Sequence, residues 1–362
     1  MINLGIYCPN WLLARHNTDY QVVQMLGRLT EFSEVKTHYV ASRSYTMTFN
    51  LDKLLQRIHT PARFLQHGIA GDNAYLDLIY HYGAPAMPDL FFETVKPHPV
   101  FMTSGFMTDR FVREVFGKRV DRQEEADNIA RVADRAEMVH FHTRGGMERF
   151  LYYRPDFREK TASIPFFLPA LTSKDVSEKA KAGTDIHILF VGSDGIRKGL
   201  PKLIDALDML GSWYLNIHRV AITIVSKDKP RPKSSYKLKW FSKLPHRQVL
   251  DLMQCASIFV LVPDNESYGL VLIEAMNAGC AIITDDDEPR NEIIGDAGIQ
   301  LSSRSAASIA RTLKLLIEDA ELRGNLGKKA ATRAADRFHP QVVAAEYETC
   351  FRNLLSKANY QL

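Results

Sequence analysis

Short apolar runs alternate with helix-period segments along the whole chain, and that alternation restricts it to folds built on parallel sheets covered by helices. In the first half, Ile2–Tyr7, Val35–Val40, 77–80, Val100–Thr103 and Met138–Phe141 read as buried strands, with helical spacing at 20–29 and 124–136. Parallel neighbours need a crossover between them, and the crossover is usually a helix. The second half restarts the pattern at Ile186–Val191. Gly199-Leu200-Pro201 then opens a helix with Leu200, Leu203, Ile204, Leu207 and Leu210 on one face, and proline suits a first helical turn. Further strands are expected at 221–225, 258–262 and 281–284, and a helix from about Tyr268 to a stop at Gly279. Helices are expected at 305–318, 320–337 and 341–355.

The polar stretch 171–185, rich in Lys, Ser and Asp, interrupts the alternation and reads as a linker. With 362 residues, the chain is long enough for two domains, each with its own core. The expected division is 1–170, a linker at 171–185, 186–338, and a final segment 339–362. The fold class is α/β with two Rossmann-like domains facing each other across a cleft, and ligands bind such sheets outside the carboxyl ends of the strands.

Bulk properties narrow function only by exclusion. A net charge of +4 is no argument for nucleic acid, so no such partner is expected. The four cysteines, Cys8, Cys255, Cys280 and Cys350, form no CxxC pair and read as reduced thiols of a cytoplasmic protein. No charged-then-apolar leader precedes Ile2, and no apolar run approaches the roughly 18 residues of a membrane span.

Two constellations carry chemistry. The first is Pro263-Asp264-Asn265-Glu266-Ser267-Tyr268-Gly269-Leu270-Val271-Leu272-Ile273-Glu274, a loop followed by a helix start. Glutamates at this spacing arise by chance about once in such a chain, so the setting must supply the specificity. A helix N-terminus offers unpaired N–H groups and a positive dipole end. Gly269 lets a phosphate approach the backbone. Glu266 faces whatever the phosphate carries, and Glu274 is placed to accept from two ribose hydroxyls. The plain alternative is a pair of surface carboxylates.

The second constellation is Leu189-Phe190-Val191-Gly192-Ser193-Asp194-Gly195-Ile196-Arg197-Lys198-Gly199, a strand, a glycine turn and a basic pair. Arg197 or Lys198 would neutralise a diphosphate whose charge grows as its bond to a sugar breaks. A solvated loop that happens to be basic is the plain alternative.

From 186 to about 351 the chain resembles the retaining glycosyltransferases of family 4, which have the GT-B fold. The resemblance rests on Phe190-Val191-Gly192 with Lys198-Gly199, on Glu266 and Glu274, and on Glu274-Ala275-Met276-Asn277-Ala278-Gly279-Cys280-Ala281-Ile282-Ile283-Thr284. Asn291-Glu292-Ile293-Ile294-Gly295-Asp296-Ala297-Gly298 and Arg337-Phe338-His339 add to it. It implies a metal-independent, cofactor-free hexosyl transfer from a UDP- or GDP-sugar to a saccharide or lipid-linked saccharide, as in cell-surface polysaccharide or glycolipid synthesis. Glu266, Lys198 and Arg197 would be catalytic. Glu274, Gly269, Leu270, Val271, Gly192, Ser193 and Tyr268 would bind the donor. The last helix would cross back to the N-terminal domain.

The family's arginine after the strand glycine is Ser193 here, its first-strand glycines are replaced by Cys8-Pro9-Asn10-Trp11-Leu12-Leu13, and its histidine falls near Gly105, with His81 and His98 close but unmatched. A nucleotide-sugar epimerase and an inactive sugar-nucleotide-binding protein are the alternative readings. Asp285-Asp286-Asp287 resembles a metal-diphosphate site, but its place after a strand of a metal-free motif set favours a loop. His140 and His142 lack a third ligand and read as structural. Lys227, Lys229, Arg231, Lys233, Lys237, Lys239, Lys243 and Arg247, against the single acid Asp228, read as a flexible solvated loop. A peripheral contact with the inner face of a membrane is the next reading.

Overall fold

The strand-forming runs assemble into two six-stranded parallel sheets. The computed structural model describes residues 1–7, 28–40, 78–82, 100–103, 121–167 and 185–359. Strands β1 (Ile2–Tyr7), β2 (Val35–Val40), β3 (Leu78–Tyr82), β4 (Val100–Thr103), β5 (Met138–Phe141) and β6 (Thr161–Ser163) make the first, in the order β2-β1-β3-β4-β5-β6. Strands β7 (Ile186–Val191), β8 (Val220–Val225), β9 (Leu238–Phe241), β10 (Ile258–Leu261), β11 (Ala281–Asp285) and β12 (Gly298–Leu301) make the second, in the order β12-β11-β10-β7-β8-β9. All the described pairings are parallel, for example Ile188 with Ile222 and Phe259 with Ile282.

The chain divides into two compact units. Unit 1 comprises Met1–Phe106, Val120–Phe167 and Pro340–Leu362, and unit 2 comprises Met107–Arg119 and Leu168–His339. The expected linker lies almost wholly outside the described residues.

In unit 1, α1 (Arg122–Ala133) starts where Asp121 accepts from the Gln123 and Glu124 N–H groups, and α2 (Arg144–Tyr153) starts where Thr143 accepts from Gly146. Such caps satisfy donors that the first turn cannot pair internally. Buried Ala126, Ile129, Ala130 and Ala133 of α1 meet Met102, Val139, Phe141 and Phe150 in one core.

Among the described residues, unit 2 has the helices that the periodicity places there and two more, at 246–255 and 290–294, where none was expected. They are α3 (Leu200–Ile217), α4 (His246–Cys255), α5 (Leu270–Asn277), α6 (Arg290–Ile294), α7 (Ala306–Glu318) and α8 (Ala320–Phe338). Leu203, Ile204 and Leu207 of α3 are buried as the spacing requires. Ser305 caps α7 and Asp319 caps α8 with side-chain hydrogen bonds.

The final helix, α9 (Pro340–Asn359), belongs to unit 1 although it follows unit 2 in sequence. Its Tyr347 packs tilted against Phe101 and its Phe351 meets the same ring edge to face, at centroid distances of 6.4 and 5.1 Å. Glu348 accepts from the Glu34 N–H at 3.0 Å, and Arg352 pairs with Glu34 at 2.8 Å. Both aromatic side chains are fully buried, and each such burial contributes about 1.5–3 kcal/mol.

The basic stretch 227–247 corrects an expectation, because it is not a loop throughout. It contains edge strand β9, paired with β8 through Ile222–Leu238 and Ile224–Trp240. Its acids come from elsewhere in the fold: Lys233 pairs with Asp205 at 3.4 Å and Lys237 with Asp185 at 3.8 Å. Lys229 lies over the Trp240 ring at 5.8 Å. Lysine on an exposed edge discourages pairing with another chain.

Candidate functional site

Sheet order in unit 2 reverses between β7 and β10, and open parallel sheets bind ligands at such a switch point. The loops that leave these two strands, 192–199 and 262–269, are the two stretches in which the sequence concentrates its chemistry.

Backbone contacts lock the loops together. Gly199 has φ 91°, and a Cβ there would stand 2.2 Å from the Val262 carbonyl oxygen, so only glycine fits. Asp264 N–H donates to the Arg197 carbonyl at 2.8 Å. Lys202 pairs with the Asp264 carboxylate. On the other side, Asp228 accepts from the Gly195 and Ile196 N–H groups at 2.7 and 3.3 Å. The one acid of the basic stretch thus fixes the turn after β7. Gly192 N–H donates to the Val225 carbonyl at 2.9 Å, and Ser193 accepts from Lys227 N–H at 3.3 Å.

Lys198 and Glu266 meet between the loops. The Lys198 ammonium contacts Glu266 Oε2, with the two side chains 14% and 6% exposed. Glu266 Oε1 also accepts from the Ser267 N–H at 3.1 Å. Burial pushes the Lys198 pKa down to about 7, and the positive charges of Arg197 and Arg290 add to the shift. The Asp194 carboxylate opposes that shift, but desolvation of a nearly enclosed ammonium is the stronger influence.

Arg197 is placed differently from the expectation that it neutralises a diphosphate. Its guanidinium binds Asp194 at 3.1 Å and the Asn265 carbonyl and side-chain oxygens at 2.9 and 3.2 Å. It clamps one loop to the other, one residue before Glu266.

α5 begins two residues later than expected, at Leu270, because Gly269 has φ 104° and precedes the helix as its cap. Tyr268 is buried just before it. Leu270 and Val271 occupy the first turn, whose N–H groups have no carbonyl one turn back to bond. Leu272, Ile273, Ala275 and Met276 are buried, which leaves Glu274 as the charged residue of an otherwise apolar helix. Its carboxylate receives His246 Nε2 at 2.7 Å. That hydrogen bond raises the His246 pKa, since the imidazolium gains a carboxylate partner. No sequence signal marked His246; α4 brings it to Glu274 from 28 residues away.

Asp285 and Asp287 do not stand as an open carboxylate pair. Arg290 donates to both oxygens of Asp285, at 2.5 and 2.9 Å, and Arg304 bonds Asp287 at 2.9 Å while also contacting Asp285. Among the described residues no cluster of three or more metal-ligating side chains appears. His140 and His142 are packing residues in unit 1. His140 Nε2 bonds the Ile164 carbonyl at 2.8 Å, and burial lowers its pKa to about 4. His142 stacks on Phe166 at 3.5 Å. The side chain of His81 and the whole of 8–13, His98 and Gly105 lie outside the described residues.

Residues 172–333 match the family of glycosyl transferases group 1. A stretch of 109 residues is 29% identical to the N-acetyl-alpha-D-glucosaminyl L-malate synthase of Bacillus anthracis, covering 30% of this chain and 29% of that protein. Another of 173 residues is 28% identical to the phosphatidyl-myo-inositol mannosyltransferase of Mycolicibacterium smegmatis, covering 45% of each. The chain therefore aligns with less than half the length of these relatives. In structure it is similar to sucrose-phosphate synthase from Thermosynechococcus elongatus, with TM-score 0.67 and 14% identity over 99% of this chain and 100% of that one. That likeness is one of fold. Residues 172–333 belong to the glycosyl transferases group 1 family, and the chain has the GT-B fold.

Proposed function

We propose that the protein is a retaining, metal-independent hexosyltransferase that takes its sugar from a UDP- or GDP-sugar. The observation that carries this reading is the convergence of Lys198, Glu266, the Gly269-capped helix start and Glu274 at the switch point of one sheet. The first turn at Leu270 and Val271 offers N–H groups to the distal phosphate. Glu274 holds the ribose hydroxyls, with His246 displaced or shared. Lys198 leaves Glu266 for the diphosphate, and Glu266 turns to the sugar hydroxyls. Arg197 acts here through the loop it clamps rather than on the phosphate.

In the proposed transfer, the bond from the anomeric carbon to the diphosphate oxygen breaks and its electron pair leaves with the diphosphate. The acceptor hydroxyl attacks the same face, and its proton passes to the departing phosphate oxygen. Lys198 and the helix dipole stabilise the charge that develops there. The acceptor is proposed to be a saccharide or a lipid-linked saccharide, as the diacetylbacillosaminyl-diphospho-undecaprenol in the name of one relative suggests. The protein would act in the cytoplasm. Exposed Lys239, Lys243 and Arg247 would suit a peripheral contact with an anionic membrane surface. Among the described residues no helix is long and apolar enough to cross a membrane.

Two variants test the assignment. Glu274→Ala should weaken UDP or GDP binding by roughly 10–100-fold, the worth of charge-assisted hydrogen bonds. Glu266→Ala should leave that affinity within about threefold and slow sugar transfer by roughly 100-fold or more. Calorimetry with the nucleoside diphosphate separates the two; equal losses in both variants contradict the division of roles. Isomerised donor in the absence of any acceptor would point instead to an epimerase.

A further inference from the structure

A buried charge cluster stands beside the donor loop with no part in the proposed chemistry. Asp285, at the end of β11, and Arg290, opening α6, are 2% and 1% exposed, and Arg304, in the turn before α7, is 12% exposed. Burying such charges costs several kcal/mol per ion before pairing, and apolar side chains of equal volume often serve stability as well or better. Stability alone is therefore a weak reason for the cluster. The third hydrogen bond of Arg304 offers a better one. While Nη2 binds Asp287 at 2.9 Å, Nη1 donates to the backbone carbonyl of Asp264 at 2.8 Å. Asp264 lies two residues before Glu266, in the loop that Arg197 and Lys202 also hold.

We infer that Arg304 is a positioning residue, which ties the buried end of β11 to the Asp264 carbonyl and so sets where the Glu266 carboxylate stands relative to Lys198. The inference rests on the reading of Glu266 as the carboxylate that meets the donor sugar. The geometry fits a planar fork. One nitrogen reaches a backbone acceptor in the 262–269 loop, and the other is anchored in a cluster that cannot shift without unpairing the buried Asp285 carboxylate. The Arg290 charge also adds to the lowering of the Lys198 pKa, behind burial and Arg197. A small misplacement of a reacting group costs large factors in rate, which is why a residue with no substrate contact can matter.

Hydrogen exchange and binding test this together. In the unliganded protein, Arg304→Met should speed amide exchange within 263–268 by roughly tenfold or more, the loss of one charge-assisted hydrogen bond. Exchange in β7, β10 and α8 should stay unchanged. Arg304→Lys, which keeps a charge but cannot bridge both acceptors, should fall between. In titrations with UDP, GDP and their hexose derivatives, Arg304→Met should keep nucleoside-diphosphate affinity within about threefold and lose the additional affinity that the sugar confers. Unchanged exchange at 263–268, or a uniform rise across unit 2, overturns the inference. If Arg304→Met does not fold, Arg304→Lys is read against the same outcomes. If the unaltered protein binds no nucleotide or nucleotide sugar, the donor-site reading fails, while the exchange data still decide whether Arg304 positions the loop.

Discussion

At the residue scale, the site is a set of charges held in the wrong pairing for catalysis and the right one for storage. Lys198 rests on Glu266, and Glu274 rests on His246. On the proposed reading, the donor's diphosphate takes the place of Glu266 on Lys198, and its ribose hydroxyls take the place of His246 on Glu274. Proton uptake follows from the Lys198 pKa near 7. Below pH 7 the group is already charged, and a diphosphate binds without changing it. Above pH 7 it is increasingly neutral, so a diphosphate that favours the ammonium must draw a proton from solvent. Affinity for UDP or GDP is therefore expected to decline as pH rises from about 7 to 9, with proton uptake at pH 8. Calorimetry in two buffers of different ionisation enthalpy measures that uptake, and Lys198→Met should abolish it. An uptake that survives in Lys198→Met assigns the proton to another group. Glu266, Glu274 and Lys198 were legible from sequence because their neighbours are a strand, a glycine and a helix start. Arg304, Arg290 and His246 were not, because each reaches its partner from a different element.

At the element scale, two glycines determine whether the loops can close on each other. Gly269 sits at φ 104°, in the region that side chains avoid, and Gly199 passes against the Val262 carbonyl. Gly269→Ala should cost about 1–2 kcal/mol from the left-handed backbone alone. It should also weaken nucleoside-diphosphate binding if, as proposed, the first turn of α5 donates to the phosphate. Thermal unfolding and a titration on the same variant check both; a stability loss with unchanged affinity would place the phosphate elsewhere. The basic stretch shows what pattern reading loses at this scale. Its lysines suggested a solvated loop, since charge and period-2 burial are hard to separate in a four-residue edge strand. The acids Asp185, Asp205 and Asp208 that meet it belong to other elements.

At the scale of the whole molecule, the chain crosses its own division. Unit 1 includes Pro340–Leu362, which arrives only after unit 2 is complete. Deleting residues 340–362 should therefore loosen unit 1, not the donor-side sheet to which α8 leads. Removing Tyr347 and Phe351 from the Phe101 and His140 surface should cost several kcal/mol, each large-to-small loss in a core being about 3–5 kcal/mol. That is a large part of a domain's total stability. Faster amide exchange in β4 and β5, with β10 and β11 unchanged, is the expected signature. The reverse pattern would show that α9 supports unit 2.

The sequence by itself determined the α/β class, the two-fold repetition of the strand-helix pattern and the two charged loops, 192–199 and 262–269, on which the proposed site rests. All three depend on periodicity and on residues a few positions apart, and local spacing is what a sequence displays. Tertiary structure alone decided the strand order that makes 192–199 and 262–269 neighbours, the clamp role of Arg197, the pairing of Glu274 with His246 and the Arg304 bridge to Asp264. The last three join groups 28 to 68 residues apart in sequence. Hydrogen bonds and ion pairs form between groups that packing brings within about 3 Å, and no local pattern encodes that approach.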